Sequence, residues 1–593
     1  MCLITFLLFI YTIYYYYKYS KRKNPLPGPL PLPFIGNLYQ LGFLKEDKKI
    51  SNKFIQELFS NYGDIFETYS FNERIIWINR IDLAEKFLYV NNMKSTNSII
   101  NDEKLEYNYF HLRNKNEIKE LKINEMGIYH NREYSSWKFH RNVLIKCVTL
   151  PKFLKEIVME LQEQFKELEN YWNDIESVDS YSNNHDSIQN GSSKKENGST
   201  NNKFINNNDD VDKMIKIIDI SKWINCFTLD IFLQSITREK SFSMANYFNQ
   251  IMKDENKLKG IEPILDKSDL FINKFKNSLW LSNQLNSKLI GLPKFFNNFF
   301  LVYKLYYRKY FNDYWLFHES LLKIVQARRS EISKFPKEQD LKADALTSFI
   351  NYGTKNDEGR ALTDDEVVFM MKDLIGEGIG TISNTFSYII YYMCRYPKIK
   401  YRMMEEIDSL NNNNNHQTDT FTYFILAKLY YCEAVIKEVS RIYPVHPLTS
   451  RILNEKENIG GYTWDIGQMV YINLHAIHNH KFNWKNPEEF DPERFLYLEE
   501  KKEEEKELNE KDFIENSFFR KEYKDPLYTF GIGLRSCPAK DLAMIILKTM
   551  VVMFLRNYDV ILMDKNTKPQ INYNNMLNNC EELNVKIRPR NKY

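Results

Sequence analysis

Residues Phe530 to Ala543 read FGIGLRSCPAKDLA, and the interpretation of this stretch decides the rest. Gly531 and Gly533 suit a tight turn with little side-chain bulk, Cys537 stands alone, and the run from Ala543 to Leu555 predicts a buried helix. Cys537 therefore belongs to a loop that feeds a helix N-terminus. The helix amides and the neighbouring Arg535 both favour a charged sulfur, which biases the thiol toward thiolate, the form that ligates metals. A buried structural cysteine is the commoner role for a lone cysteine. Its neighbours at fixed spacing, and other motifs along the chain, argue against that role here.

Upstream, the segment YCEAVIKEVSRIYPVHP carries Glu438 and Arg441 three apart, on one face of a predicted helix. An isolated pair of this kind on a surface contributes little. Further on, DPERF carries Arg494. Arg451 follows shortly after Pro444 and Pro447. In YSSWKFHRNVL, Trp137 and Arg141 stand four apart and share a helical face, a pair that is commonplace when taken alone. The pattern Thr363 to Glu366, TDDE, is a capping box. A helix started there runs to about Arg395, ahead of Tyr396 and Pro397, roughly 50 Å at 1.5 Å per residue. Its centre reads GEGIGTISNT, residues 376–385.

The spacing Phe530, Gly533, Arg535, Cys537, Ala539 resembles the haem-binding signature of the cytochrome P-450 family, Phe-x-x-Gly-x-Arg-x-Cys-x-Gly/Ala. Trp137 with Arg141, the long helix, Glu438 with Arg441, and Arg494 occur in that family's order. The resemblance implies a mainly α fold, triangular in outline, with a smaller β region and an N-terminal membrane anchor helix. It implies haem b with Cys537 as axial thiolate, which favours O–O cleavage. Trp137, Arg141 and Arg451 would contact haem propionates, with Phe530 and Arg535 completing the cofactor site. Glu438, Arg441 and Arg494 would form a structural network. The implied reaction is a monooxygenase one on a small lipophilic substrate, using NADPH through the membrane-bound NADPH–cytochrome P-450 reductase, with cytochrome b5 as a further partner. Lys138, Lys146 and Lys540 lie near motifs expected to face an acidic flavoprotein.

At the centre of the long helix the chain departs from the family. The usual pattern is Ala/Gly-Gly-x-Asp/Glu-Thr, in which the acid and the threonine help deliver protons; here Gly378 and Thr381 remain and Gly380 replaces the acid. Glu377 lies four residues before Thr381, on the same helical face, and is the candidate substitute. Pairing of Glu377 with a neighbouring cation or water is the alternative. The missing acid also leaves open a peroxide-using isomerase or dehydratase of the same fold, or a catalytically impaired haem-binding protein.

The remainder of the chain sets the context. Residues 1–17 carry no charge and precede Lys18, Lys21, Arg22 and Lys23, which predicts a signal anchor with a cytosolic body and location in the endoplasmic reticulum membrane. Residues 18–37 form a basic, proline-rich hinge read as a stiff spacer, and 38–593 the catalytic domain. Ile65 to Ile78 predicts two strands around Asn72 and Glu73. Asn- and Ser-rich residues 173–212 read as a disordered insertion and 497–515 as an acidic, solvated one.

The chain of 593 residues has a formal charge of +3, near balance, which argues against a nucleic-acid binder. Its seven cysteines are scattered without CxxC pairs, as in a reducing compartment. His475, His478 and His480 lack an HExxH pattern, and the alternation in YINLHAIHNH fits a strand or strand end with structural or surface histidines. The substrate pocket is expected between the loop before Trp137, residues 240–300, the centre of the long helix, 444–450 and 575–580, with Ile379, Val445 and Leu448 promising apolar walls.

Overall fold

The computed structural model describes residues 2–40, 52–71, 73–88, 125–175, 215–252, 258, 274–275, 308–334, 344–353, 360–412, 423–453, 456–496, 527–574 and 577–590. The insertion at 497–515 lies outside them, as does that at 173–212 apart from 173–175. The chain opens with α1 (Cys2–Ser20), α2 (Asn52–Tyr62), the hairpin β1 (Ile65–Ser70) and β2 (Glu73–Ile78), and α3 (Ile81–Leu88). Next come α4 (Tyr134–Val148), α5 (Pro151–Asp174), β3 (Lys216–Asp219), α6 (Ile220–Thr237), α7 (Ser243–Ile251), α8 (Arg308–Lys334) and α9 (Ala345–Asn351). The central part holds α10 (Asp364–Arg395), α11 (Pro397–Asn412), α12 (Tyr423–Ala427), α13 (Tyr430–Ile442), β4 (Leu448–Ile452), β5 (Glu457–Ile459), β6 (Tyr462–Trp464), β7 (Met469–Asn473) and α14 (Leu474–His478). The chain closes with α15 (Lys540–Asn557), β8 (Tyr558–Leu562), β9 (Gln570–Asn574), β10 (Leu577–Glu582) and β11 (Asn584–Pro589).

Helix α10 is the axis of the helical part. The capping box forms as the sequence predicts: the Glu366 amide donates to Thr363 Oγ1 at 3.3 Å, and the Thr363 amide to Glu366 Oε2 at 2.9 Å. Three acids in the first turn complement the helix N-terminus, and Arg395 the C-terminus. Between them Val367, Met371, Ile375, Ile382, Ile389 and Met393 are buried, so water is excluded along most of its length. Packed against it, α6 is buried nearly all round, from Ile220 to Thr237, as befits an interior helix. Each large apolar side chain taken from water here contributes about 1.5–3 kcal/mol before entropy is counted.

The β region is built on a four-stranded sheet in the order β1-β2-β7-β4. The hairpin pairs Ile65 with Ile78 and Ser70 with Glu73. Strand β2 runs parallel to β7 from Ile75↔Met469 to Ile78↔Ile472, and β7 is antiparallel to β4, placing Arg451 opposite Val470. The stack Phe66, Trp77 and Tyr471, with ring centroids 5.7 and 4.9 Å apart, seals one face. The stretch 471–480 holds a strand end: β7 stops at Asn473, whose side chain accepts from the Ala476 amide at 3.1 Å and starts α14.

The proline-rich segment is not a free spacer but lies along β1. Prolines lack donors yet keep their carbonyls: Pro27 O accepts from the Glu67 amide at 2.9 Å and Pro29 O from Asn37 Nδ2 at 3.2 Å. The Asn37 amide donates to Tyr69 O at 2.6 Å, and Asn37 Oδ1 accepts from the Tyr69 amide at 2.7 Å. Buried Glu67 takes Arg22 Nε and Arg74 Nε, each at 2.6 Å, locking the end of α1 to the hairpin. Helix α1 exposes Phe6, Leu7, Leu8, Phe9, Ile10 and Ile13. Among the described residues no helix is long and apolar enough to cross a membrane.

Candidate active site

The cysteine loop is held by its own backbone. The Cys537 amide donates to Phe530 O at 2.7 Å, Ser536 N to Gly533 O at 3.0 Å and Gly531 N to Tyr528 O at 2.9 Å, around a short 3-10 turn at Gly533–Arg535. Gly533 is required twice over. Its φ is +70°, and a Cβ would lie 1.6 Å from Leu88 O at the end of α3. Helix α15 begins at Lys540, three residues beyond Cys537 and earlier than the predicted Ala543.

Cys537 is exposed to a cavity of about 310 Å³ that Thr381, Glu377, Trp137, Arg141, Arg451, Phe530 and Arg535 also line. The structure thus brings together on one cavity every cofactor and proton-delivery candidate named from the sequence. Arg141 donates to Ser536 O at 2.6 Å and Ser536 Oγ at 3.2 Å, gripping the residue next to Cys537. Arg535 donates to Ile128 O at 3.1 Å and Asn131 O at 2.8 Å. The guanidinium carbons of Arg535 and Arg141 lie 5.1 and 5.7 Å from the Trp137 ring centroid. Arg451 Nη1 donates to Thr449 Oγ1 and Ser450 O, both at 2.8 Å.

The donor set is a test of the cofactor that the sequence implies. One cavity offers a thiol at a helix start, three guanidinium groups, an indole and walls that are otherwise mostly apolar. That combination fits a flat apolar ring system bearing carboxylates and a thiophilic metal.

On α10, Glu377, Gly378, Thr381, Ile382 and Thr385 face the cavity. Thr381 Oγ1 donates to Glu377 O at 2.7 Å and Gly378 O at 3.1 Å, the bonds of the preceding turn. Gly378 admits no side chain, since a Cβ would stand 2.2 Å from the Phe232 ring of α6. Gly380, where the acid is missing, has room: a Cβ would meet nothing nearer than Asn384 Nδ2 at 4.0 Å. Gly380 is not among the residues lining the cavity, whereas Glu377 is.

The Glu438, Arg441 and Arg494 side chains meet in the interior. Glu438 accepts from Arg441 Nε at 2.7 Å, Arg441 Nη2 at 2.9 Å, Arg494 Nε at 3.1 Å and the Asp491 amide at 2.8 Å. Arg441, fully buried, spends its remaining donors on His478 O at 3.0 Å, Pro487 O at 2.8 Å and Glu489 O at 3.1 Å. The Glu438 carboxylate thus lies between two guanidinium groups, and Arg441's other donors are met by carbonyls, the condition under which a buried ion pair persists.

Two positioning groups escaped the sequence reading. Asp373 Oδ2 accepts from the amides of Ile128 at 2.5 Å and Tyr129 at 3.2 Å, tying α10 to the loop whose carbonyls hold Arg535. An acid on a long helix carries no signal of this. His478 Nε2 accepts from the Tyr528 amide at 2.9 Å and so fixes the start of the cysteine loop. Burial first, then nearby cationic groups, lower the pKa values of His478 to about 3 and His475 to about 4, so both are neutral and His478 keeps its acceptor. Sequence reading allowed a structural role for this cluster but gave no partner. Lys146 is exposed and Lys138 half-buried, its ammonium 5.7 Å from the Tyr134 ring centroid.

The Cytochrome P450 family model matches residues 26–190 and 198–587. Steroid 17-alpha-hydroxylase/17,20 lyase of Squalus acanthias is 38% identical over 136 residues, covering 23% of this chain and 26% of that protein. Cytochrome P450 3A28 of Bos taurus is 29% identical over 244 residues, 41% of this chain and 42% of the relative. Flavonoid 3'-monooxygenase of Petunia hybrida is 29% identical over 279 residues, 46% and 50% respectively. The chain thus spans between about a quarter and a half of the length of these curated relatives. With the family model matched from the proline-rich segment to the last strand, and the cysteine loop, its arginines and the threonine of α10 on one cavity, the chain belongs to the cytochrome P450 family.

Proposed function

We propose that the protein is a haem-thiolate monooxygenase. The overall balance is substrate R–H, O2, NADPH and a proton giving R–OH, water and NADP+. The observation that carries the proposal is the presence of Cys537 and Thr381 on the walls of one cavity. Cysteine-ligated haem supplies oxygen activation when bound.

The chain's own residues have separate tasks in this proposal. Cys537 would ligate the haem iron, and the Phe530 carbonyl that accepts its amide holds the loop. Arg141, Arg451 and Trp137 would hold the propionates, with Phe530 and Arg535 completing the cofactor site. Thr381 moves protons at its Oγ1, and Glu377 supplies them from the cavity wall in place of the acid absent at Gly380. Leu374, Phe232, Val445 and Leu448 exclude water and favour a lipophilic substrate.

Electrons arrive from NADPH–cytochrome P-450 reductase, with cytochrome b5 as a second donor, at a surface that includes Lys138 and Lys146. The apolar face of α1 attaches the protein to the endoplasmic reticulum membrane as a single-pass anchor with a cytosolic body. Because the apolarity of α1 is modest, the exposed Leu30, Leu32 and Phe34 beside it add to the attachment. Resistance to alkaline carbonate extraction is expected, and release into the supernatant would contradict the anchor. Reductase-dependent NADPH consumption with incorporation of labelled O2 into product tests the reaction. Turnover that proceeds equally well with peroxide and without reductase would favour an isomerase or dehydratase of this fold.

A further inference from the structure

The three residues Asn578, Asn579 and Cys580 of β10 do not line the cavity but tie together two elements that do, the Val445 segment and α10. Asn578 donates from its amide to Val445 O at 2.9 Å and from Nδ2 to Pro444 O at 2.7 Å, and Val445 lines the cavity. Its carbonyl accepts from Tyr388 Oη of α10 at 3.2 Å. The next two residues meet Asn384 of α10, which is 6% exposed. Asn384 Oδ1 accepts from the Cys580 amide at 2.7 Å, and Nδ2 donates to Asn579 Oδ1 at 3.1 Å and to Gly380 O at 2.5 Å.

The last of these bonds gives the arrangement its meaning. Gly380 O is the carbonyl of the peptide that leads directly into Thr381, at the position where the family's acid is absent. A glycine here leaves the backbone with more freedom than any other residue would. An amide side chain from one turn further on holds that carbonyl, and the same side chain is held from outside by β10. Asn384 is buried, so each of its bonds lost without replacement costs more than it would in water.

We propose that Asn384 is a positioning residue that fixes the Gly380–Thr381 peptide and ties it to the C-terminal hairpin, so that the Val445 wall of the cavity, which β10 supports from behind, is set in register with Thr381. The inference rests on the haem-thiolate reading above and goes beyond it. A ligand large enough to press on that wall is therefore sensed at Thr381, while a ligand too small to touch it is not. The hairpin also limits how far the peptide relaxes, which restrains loss of reducing equivalents as hydrogen peroxide, formed from O2, NADPH and a proton.

Asn384→Leu, close in volume and without the amide, tests this in the full-length, haem-loaded protein. Two azoles serve as probes: clotrimazole, which fills the cavity, and imidazole, which does not. The expected result is a clotrimazole Kd about tenfold weaker, the equivalent of one to two hydrogen bonds, with imidazole changed by less than about twofold. With reductase and NADPH, peroxide release is expected to rise about threefold. Asn579→Ala leaves α10 intact and removes one acceptor, so it is expected to move both quantities in the same direction by a smaller factor, and it serves should Asn384→Leu fail to fold. An unchanged ratio of clotrimazole to imidazole affinity in either variant, with normal haem content, would overturn the proposal. Wild-type protein that fails to give the thiolate carbon-monoxide spectrum would overturn the underlying reading instead, whatever the variants do.

Discussion

The cysteine loop and the centre of α10 face the same cavity but are built by different rules. In the loop every motif position of the family is filled, and the arginines near Cys537 are tied to backbone carbonyls, Arg141 to Ser536 and Arg535 to Ile128 and Asn131, while the Tyr528 amide is held by His478. At the centre of α10 one family position is vacated, at Gly380, and the adjoining polar groups are held by local substitutes, Asn384 and the carbonyls that accept from Thr381. On the proposed reading, the comparison teaches that ligation tolerates little variation, since a thiolate must be aimed, whereas proton delivery tolerates rearrangement along one helix face.

The largest effect is expected on the side that tolerates least. Glu438→Ala leaves Arg441 buried without its carboxylate, and a loss of about 3–5 kcal/mol in urea unfolding is expected, with haem retention falling in parallel. Because Arg441 also donates to His478 O, and His478 accepts from the Tyr528 amide, the damage should reach the cysteine loop. Stability lost with full haem retention would separate the network from the site.

Next in size is Gly378→Ala on α10. A Cβ there meets the Phe232 ring at 2.2 Å, so a loss of about 1–3 kcal/mol is expected. Phe232→Leu should restore part of it in the double variant, and additive losses would show that the ring is not the obstacle.

Smaller again is an acid dependence. In the folded chain His475 and His478 are neutral down to about pH 4 and 3, whereas the unfolded chain protonates both near the ordinary value of about 6.5. Below that value the unfolded state binds more protons, so this contribution to stability is present at neutral pH and is lost as pH falls from about 6.5 toward 4. His478→Gln should flatten the slope of unfolding midpoint against pH in this window. An unaltered slope would mean that other groups govern it.

The smallest effect on stability is expected at the vacated position. Gly380→Asp has space, so stability should change by less than about 1 kcal/mol. Because Glu377 is proposed to replace the missing acid, peroxide release per NADPH is expected to stay constant, and a fall would show that position 380 still shares in proton delivery. Glu377→Gln should raise peroxide release, and unchanged release would remove Glu377 from the account.

The sequence displayed what depends on local spacing. The loop at 530–539, the Thr363 capping box, the helix ending before Pro397 and the hairpin at 65–78 were legible because each is decided within a few residues. The distant ties were not. Asp373 binds amides 245 and 244 residues away, Asn384 binds the Cys580 amide 196 away, and a lone acid or amide on a helix gives no sign of such partners. The proline-rich segment misled for a related reason: missing donors suggested a spacer, while its carbonyls found partners on β1.

The reduced, carbon-monoxide-bound difference spectrum of the full-length protein tests the central claim most directly. A Soret band at about 450 nm is predicted, the mark of a cysteine thiolate on iron. Stoichiometric haem without that band would contradict thiolate ligation by Cys537 and, with it, the monooxygenase assignment.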